Sequence, residues 1–65
     1  MRQLINPSTL RTVALGDSVT SFRGEVATVT YIPPRGNKVC VIWAGDPSDS
    51  ENEYYPSVFD LKYTD

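Results

Sequence analysis

The stretch VCVIWA, residues 39–44, constrains this chain most, because a strand made from it is apolar on both faces. Alternation sends Val39, Val41 and Trp43 to one side and Cys40 and Ile42 to the other. Such a strand is either central in a sheet or covers a second surface. Ahead of it, GEVATVTYI at 24–32 is the longest run of β-formers in the chain. For Val26 and Val29 both to face inward, that run needs a bulge near Ala27. PPRGNK at 33–38 separates the two runs. Its prolines stop the first strand, and Gly36-Asn37 accepts positive φ.

The remaining signals are shorter. Residues 1–10 form an N-terminal arm in which Asn6-Pro7 can cap a helical turn or leave an irregular lead-in. Ser18 to Phe22 reads as a short strand after the Leu15-Gly16-Asp17 turn, and Arg23-Gly24 interrupts it. GDPSDSEN at 45–52 is a polar loop. Glu53 to Tyr55 is a brief strand that Pro56 ends, since proline cannot donate to a ladder. Ser57 to Phe59 is about one 3₁₀ turn long, and Leu61 to Tyr63 is a last strand. The expected fold is all-β: a five-stranded SH3-like barrel at 11–65, with a one-turn 3₁₀ helix before the last strand. Closure would remove the exposed edges of so small a sheet.

A chain of 65 residues buries only about 60% of its unfolded surface and holds a small core. With one cysteine and no histidine, it has no internal disulfide and no tetrahedral zinc set. The free thiol suits a reducing compartment, and the first residues carry no apolar run of signal-peptide length, so the expected location is cytoplasmic. The net charge of −2 argues against a basic nucleic-acid footprint.

Pro56-Ser57-Val58-Phe59 resembles the Pro-Ser-x-aromatic segment before the last strand of SH3 domains. Gly16-Asp17-Ser18-Val19 followed by Arg23-Gly24-Glu25-Val26 is similar to the start of KOW and Tudor-like barrels. Gly16-Asp17, then Phe22-Arg23-Gly24-Glu25, the proline-bearing loop at 33–38 and Tyr55-Pro56-Ser57-Val58-Phe59 with Leu61, spanning about residues 15–63, also resemble the pattern of short proteins of actinobacterial bacteriophages. It lacks the Ala-Leu-Tyr-Asp-Tyr start and the paired tryptophans of signalling SH3 domains. The phage resemblance implies a protein that binds, and in a narrower version inhibits, a host protein in the host cytoplasm.

Little in the chain points to catalysis. Without histidine, a serine or cysteine nucleophile lacks its usual base. Asp46, Asp49, Glu51 and Glu53 crowd one loop, but their spacing is not that of an EF-hand. They read as a solvated loop or as a face for a basic partner, and no cofactor or metal is expected. Cys40 reads as a small buried hydrophobe. Phe22, Trp43 and Phe59 are expected to fill the core. Tyr54 and Tyr55 are neighbours in a strand, so one ring faces in and the other out. Arg35 and Lys38 make a small basic hairpin tip. The expected partner surface therefore draws on Tyr54, Tyr55, Trp43, Ile42, Asp46, Asp49, Glu51, Arg35 and Lys38.

The function expected is a non-enzymatic protein-binding module, with a homodimer as one way to cover the doubly apolar strand. A nucleic-acid-binding barrel is the alternative. A small-molecule or nucleotide binder at a dimer seam is a second alternative.

Overall fold

The computed structural model describes residues 2–48 and 50–64. Among them the chain is all-β, with seven strands and one 3₁₀ turn. No helix of the described residues is long and apolar enough to cross a membrane. The strands are β1 (Gln3–Asn6), β2 (Arg11–Thr12), β3 (Ser18–Thr20), β4 (Val26–Tyr31), β5 (Val39–Trp43), β6 (Glu51–Tyr54) and β7 (Lys62–Thr64). The 3₁₀ turn, Pro56–Phe59, lies between β6 and β7. The strands form two antiparallel sheets, ordered β2-β1-β7 and β3-β4-β5-β6. No ladder joins the two sheets among the described residues, so the expected closed five-stranded barrel gives way to two sheets facing a shared core.

The expected N-terminal arm is a strand. β1 is the centre of the smaller sheet, paired with β2 on one side and with β7 on the other. Leu4, 1% exposed, lies in the core. The Asn6 side chain does accept a backbone N–H two residues on, from Ser8 at 3.0 Å, as its capping chemistry suggests. It shapes a turn into β2, however, and the main chain returns through Leu10 at φ +60°. Packing of Leu4 against long-range partners, not local periodicity, decides this segment.

β4 and β5 make the spine of the larger sheet. Ala27 and Val29 face inward at 0% and 1% exposure, while Val26 is turned out at 45%. The bulge lies between Val29 and Tyr31, not near Ala27. Strict alternation through residues 26–29 needs no irregularity, so Val26 simply takes the outer face. On β5, Val39 and Val41 enter the core and Trp43 packs against it. Cys40 is buried but outside that cluster. It shares the opposite face with Ile42, which is half-buried. The doubly apolar reading of 39–44 therefore corresponds to two real environments.

Pro56 ends β6, and the 3₁₀ turn buries Pro56 and Phe59. Asp60 then takes left-handed backbone at φ +55° and redirects the chain into β7. β7 closes on β1, so the corner works as expected but meets a strand that local patterning does not reveal.

Candidate functional site

The candidate partner residues fall in separate places. Trp43 and Tyr54 come from opposite ends of the β5–β6 ladder and their rings meet between them. Their rings cross edge-to-face with centroids 5.4 Å apart. Trp43 Nε1 donates to Tyr54 Oη at 3.0 Å. Phe59 completes the cluster from below, 5.6 Å from Trp43 and 6.0 Å from Tyr54. Edge-to-face pairs of this kind add to area burial and hold ring orientation.

Beside this cluster lies a groove of about 320 Å³ lined by Ser21, Phe22, Arg23, Glu25, Trp43, Tyr54 and Val58. Phe22 was expected in the core and is instead 69% exposed. With Val19 and Ser21 buried, alternation sends Phe22 outward, and the turn that follows β3 holds it there. Gly24 N–H donates to Ser21 O at 2.9 Å, with Gly24 at φ +85°. The Ser21 hydroxyl accepts from the backbone N–H groups of Arg23 and Glu25. A side chain carried on so tight a turn projects away from the sheet. Phe22 N–H donates to Val58 O at 2.9 Å, which ties this turn to the 3₁₀ turn and sets the groove's width. The Arg23 guanidinium stands 5.7 Å from the Phe22 ring centroid. The groove thus has aromatic walls and a rim carrying both signs of charge.

Tyr55 answers the question left open by alternation. It is 58% exposed, while Tyr54 is half-buried. Tyr55 belongs to a different surface, at the 33–38 tip. There Lys38 Nζ lies 3.5 Å from Glu53 Oε1 and 5.3 Å from the Tyr55 ring centroid. A shallow cavity of about 390 Å³ runs past Pro33, Arg35, Glu53 and Tyr55. The tip is anchored from the N-terminal side. The Arg2 guanidinium donates to the carbonyls of Pro33 and Gly36 and stacks 3.9 Å over the Tyr63 ring. Tyr63 Oη donates to Lys38 O at 2.7 Å. Burial raises the Tyr63 phenol above its ordinary value, with Arg2 opposing. Lys38 is paired with a carboxylate, so the tip presents less positive charge than its sequence suggests.

The acidic residues are engaged locally. Asp46 Oδ1 accepts from Ser48 Oγ at 2.7 Å and Ser48 N at 2.9 Å, and these bonds hold its carboxyl below the usual value. Glu51 Oε2 accepts from Thr30 Oγ1 at 2.6 Å. Glu51 also sits opposite Ile42 on the outer face of the larger sheet. Asp49 lies outside the described residues. Among the described residues no three of Cys, Asp and Glu gather as metal ligands would. Cys40 is buried. Burial raises its thiol, and the Glu51 and Glu53 carboxylates push the same way.

The structure therefore brings Trp43 and Tyr54 together and leaves Tyr55, Arg35 and Lys38 on a second surface. Ile42 and Glu51 are on a third, and Asp46 stands apart in its loop. Phe22, Arg23, Glu25 and Val58 are groove residues that the sequence reading did not include. The one available signal was Phe22 standing directly before Arg23-Gly24, where a strand must end in a turn. Comparison with protein-family models, curated proteins and solved structures finds no match to this chain.

Proposed function

We propose that the chain is a non-enzymatic protein-binding module and that the Phe22–Trp43–Tyr54 groove takes an apolar side chain from a protein partner. The observation that supports this reading is the 69% exposure of Phe22 beside the half-buried Trp43 and Tyr54. A large aromatic held in water by a hydrogen-bonded turn costs apolar hydration that a partner would relieve. Trp and Tyr are also the residues that dominate binding energy when they line a pocket that a partner seals from water. Arg23 and Glu25 supply a polar rim of the sort that surrounds such pockets.

The SH3-like arrangement belongs with this proposal. The 3₁₀ turn before the last strand supports it, and the split between two sheets departs from it. The narrower role, inhibition of a host protein, rests on the phage resemblance.

The test uses short linear peptides selected against the protein from a displayed random library. Binding is read from the Trp43 indole N–H signal and from titration with wild type and Phe22→Ala. We expect the indole signal to move and Phe22→Ala to weaken binding by about tenfold or more, or about 1.4 kcal/mol. Unchanged affinity in Phe22→Ala, with the fold intact, would overturn the proposal.

A further inference from the structure

A concavity of about 620 Å³ shares Ser21 with the aromatic groove and is otherwise lined by different residues. It separates the two sheets where β2 and β3 fail to pair. Its walls are the edges of these strands and its floor is apolar, made of Val13, Val19, Phe59 and Leu61, all buried.

The hydrogen-bond register shows which main-chain groups face this seam. Val29 N–H donates to Asp17 O, and Ser21 N–H donates to Glu25 O. With Val19 opposite Ala27, the odd residues of β3 form the bonded pairs to β4. The amide and carbonyl groups of Ser18 and Thr20 therefore point the other way, into the seam. The same rule applies to β2. Val13 N–H donates to Leu4 O, so in the next pair, Ile5 with Thr12, the Thr12 groups turn from β1 towards the seam. None of these groups takes part in the backbone hydrogen bonds outside the ladders of the described residues.

Other free edges are guarded. β6 carries Glu51 and Glu53, β7 carries Lys62, and β2, the far wall of the seam, carries Arg11, with Asp17 and Asp60 also lining the seam. Charges on an edge discourage strand addition. β3, Ser18-Val19-Thr20, has no charge and no proline.

We infer that the seam between β2 and β3 is a strand-addition site, which takes a short extended segment of a partner protein paired to the edge of β3. The chemistry of the occupant follows from the walls and the floor. Its alternate amides and carbonyls pair with Ser18 and Thr20. Because side chains alternate in an added strand, one apolar residue points to the Val13–Val19–Phe59–Leu61 floor between two that face water. A second copy pairing through the same edge is separated from this occupant by the test below. This site is distinct from the aromatic groove, and either can fail without the other.

The experiment selects short linear peptides of alternating polar and apolar residues from a displayed library and maps each by backbone amide shifts. Three results are expected. The Ser18 and Thr20 amides shift and become protected from exchange, and the Trp43 indole does not move. N-methylation of alternate peptide amides, in the register that faces β3, weakens binding at least tenfold, while the other register is tolerated. Thr20→Pro, which removes an amide that the β4 ladder does not use, weakens binding comparably. The N-methyl series needs no protein variant, so it decides the matter even if Thr20→Pro misfolds. The inference is overturned if no peptide is selected, or if both N-methyl registers bind alike. It is also overturned if shifts fall only on the aromatic groove, or if β3 amides shift with protein concentration alone, the mark of a second copy.

Discussion

Leu4→Ala should nearly unfold this protein. Leu4 is 1% exposed and is one of the four largest fully buried side chains. The substitution deletes three carbons, worth about 2.4 kcal/mol of transfer at roughly 0.8 kcal/mol per buried group. A cavity is left behind, and Leu→Ala in a core costs about 2–5 kcal/mol in all. Relaxation into the space is limited, because β1 is held by ladders on both sides. For 65 residues the total stability is on the order of 3–10 kcal/mol. Urea unfolding followed by the fluorescence of Trp43, the only tryptophan, measures the loss. With a slope of about 1 kcal/mol per molar, the midpoint should fall by roughly 2–5 M. Leu10→Ala is the matched control, since Leu10 is 80% exposed and should stay within about 0.5 kcal/mol. If Leu4→Ala behaves like Leu10→Ala, β1 is a detachable arm and the two-sheet description is wrong.

Two further outcomes follow from the Trp43–Tyr54 contact and from the Cys40 and Tyr63 side chains. Tyr54→Phe should cost about 1 kcal/mol, because it leaves Trp43 Nε1 without its 3.0 Å partner, whereas Tyr55→Ala should be near neutral in the same urea assay. Stability should fall as pH rises above about 9. The Cys40 thiol is raised from its ordinary value of 9.0 in the folded state, and the Tyr63 phenol from 10.0. The unfolded chain therefore loses these protons first and is favoured at high pH. Melting temperatures between neutral pH and pH ~10.5 check this, and Cys40→Ala should flatten the first part of the decline.

The parts of the fold that were readable share one property: the decisive contacts lie close in sequence. Pro56-Ser57-Val58-Phe59 announces its own turn, and Pro33-Pro34 stops β4 without help from elsewhere. β5 was readable because the apolar run Val39 to Ala44 is itself a local signal. β1 was not, because its strand character comes from pairing such as Gln3 opposite Thr64, at the other end of the chain. Its four residues carry no alternation that marks a face. Phe22 was misplaced for a related reason. Apolarity argues for the core, but alternation from buried Val19 and Ser21 sends the ring outward, and the hydrogen bonds of Ser21 and the left-handed Gly24 hold it there. Trp43 and Tyr54 were found among the candidate residues, yet their meeting with Phe22 requires the link from Phe22 N–H to Val58 O.

The open seam and the exposed ring meet at the end of the short β3. The strand runs only from Ser18 to Thr20 before the Ser21–Gly24 turn takes over. Val19 and Ser21 are buried, so a longer strand would keep Phe22 on the outer face beside Ser18 and Thr20, and the turn fixes it there instead. The seam and the aromatic groove share Ser21. Ser21 itself is buried, and its hydroxyl is the acceptor that fixes the turn. Local apolar burial in so small a core cannot by itself account for this arrangement, because turning Phe22 inward would add buried area. Three hydrogen bonds to Ser21 hold Phe22 outward and forgo that gain, and this is the observation on which the proposed groove rests.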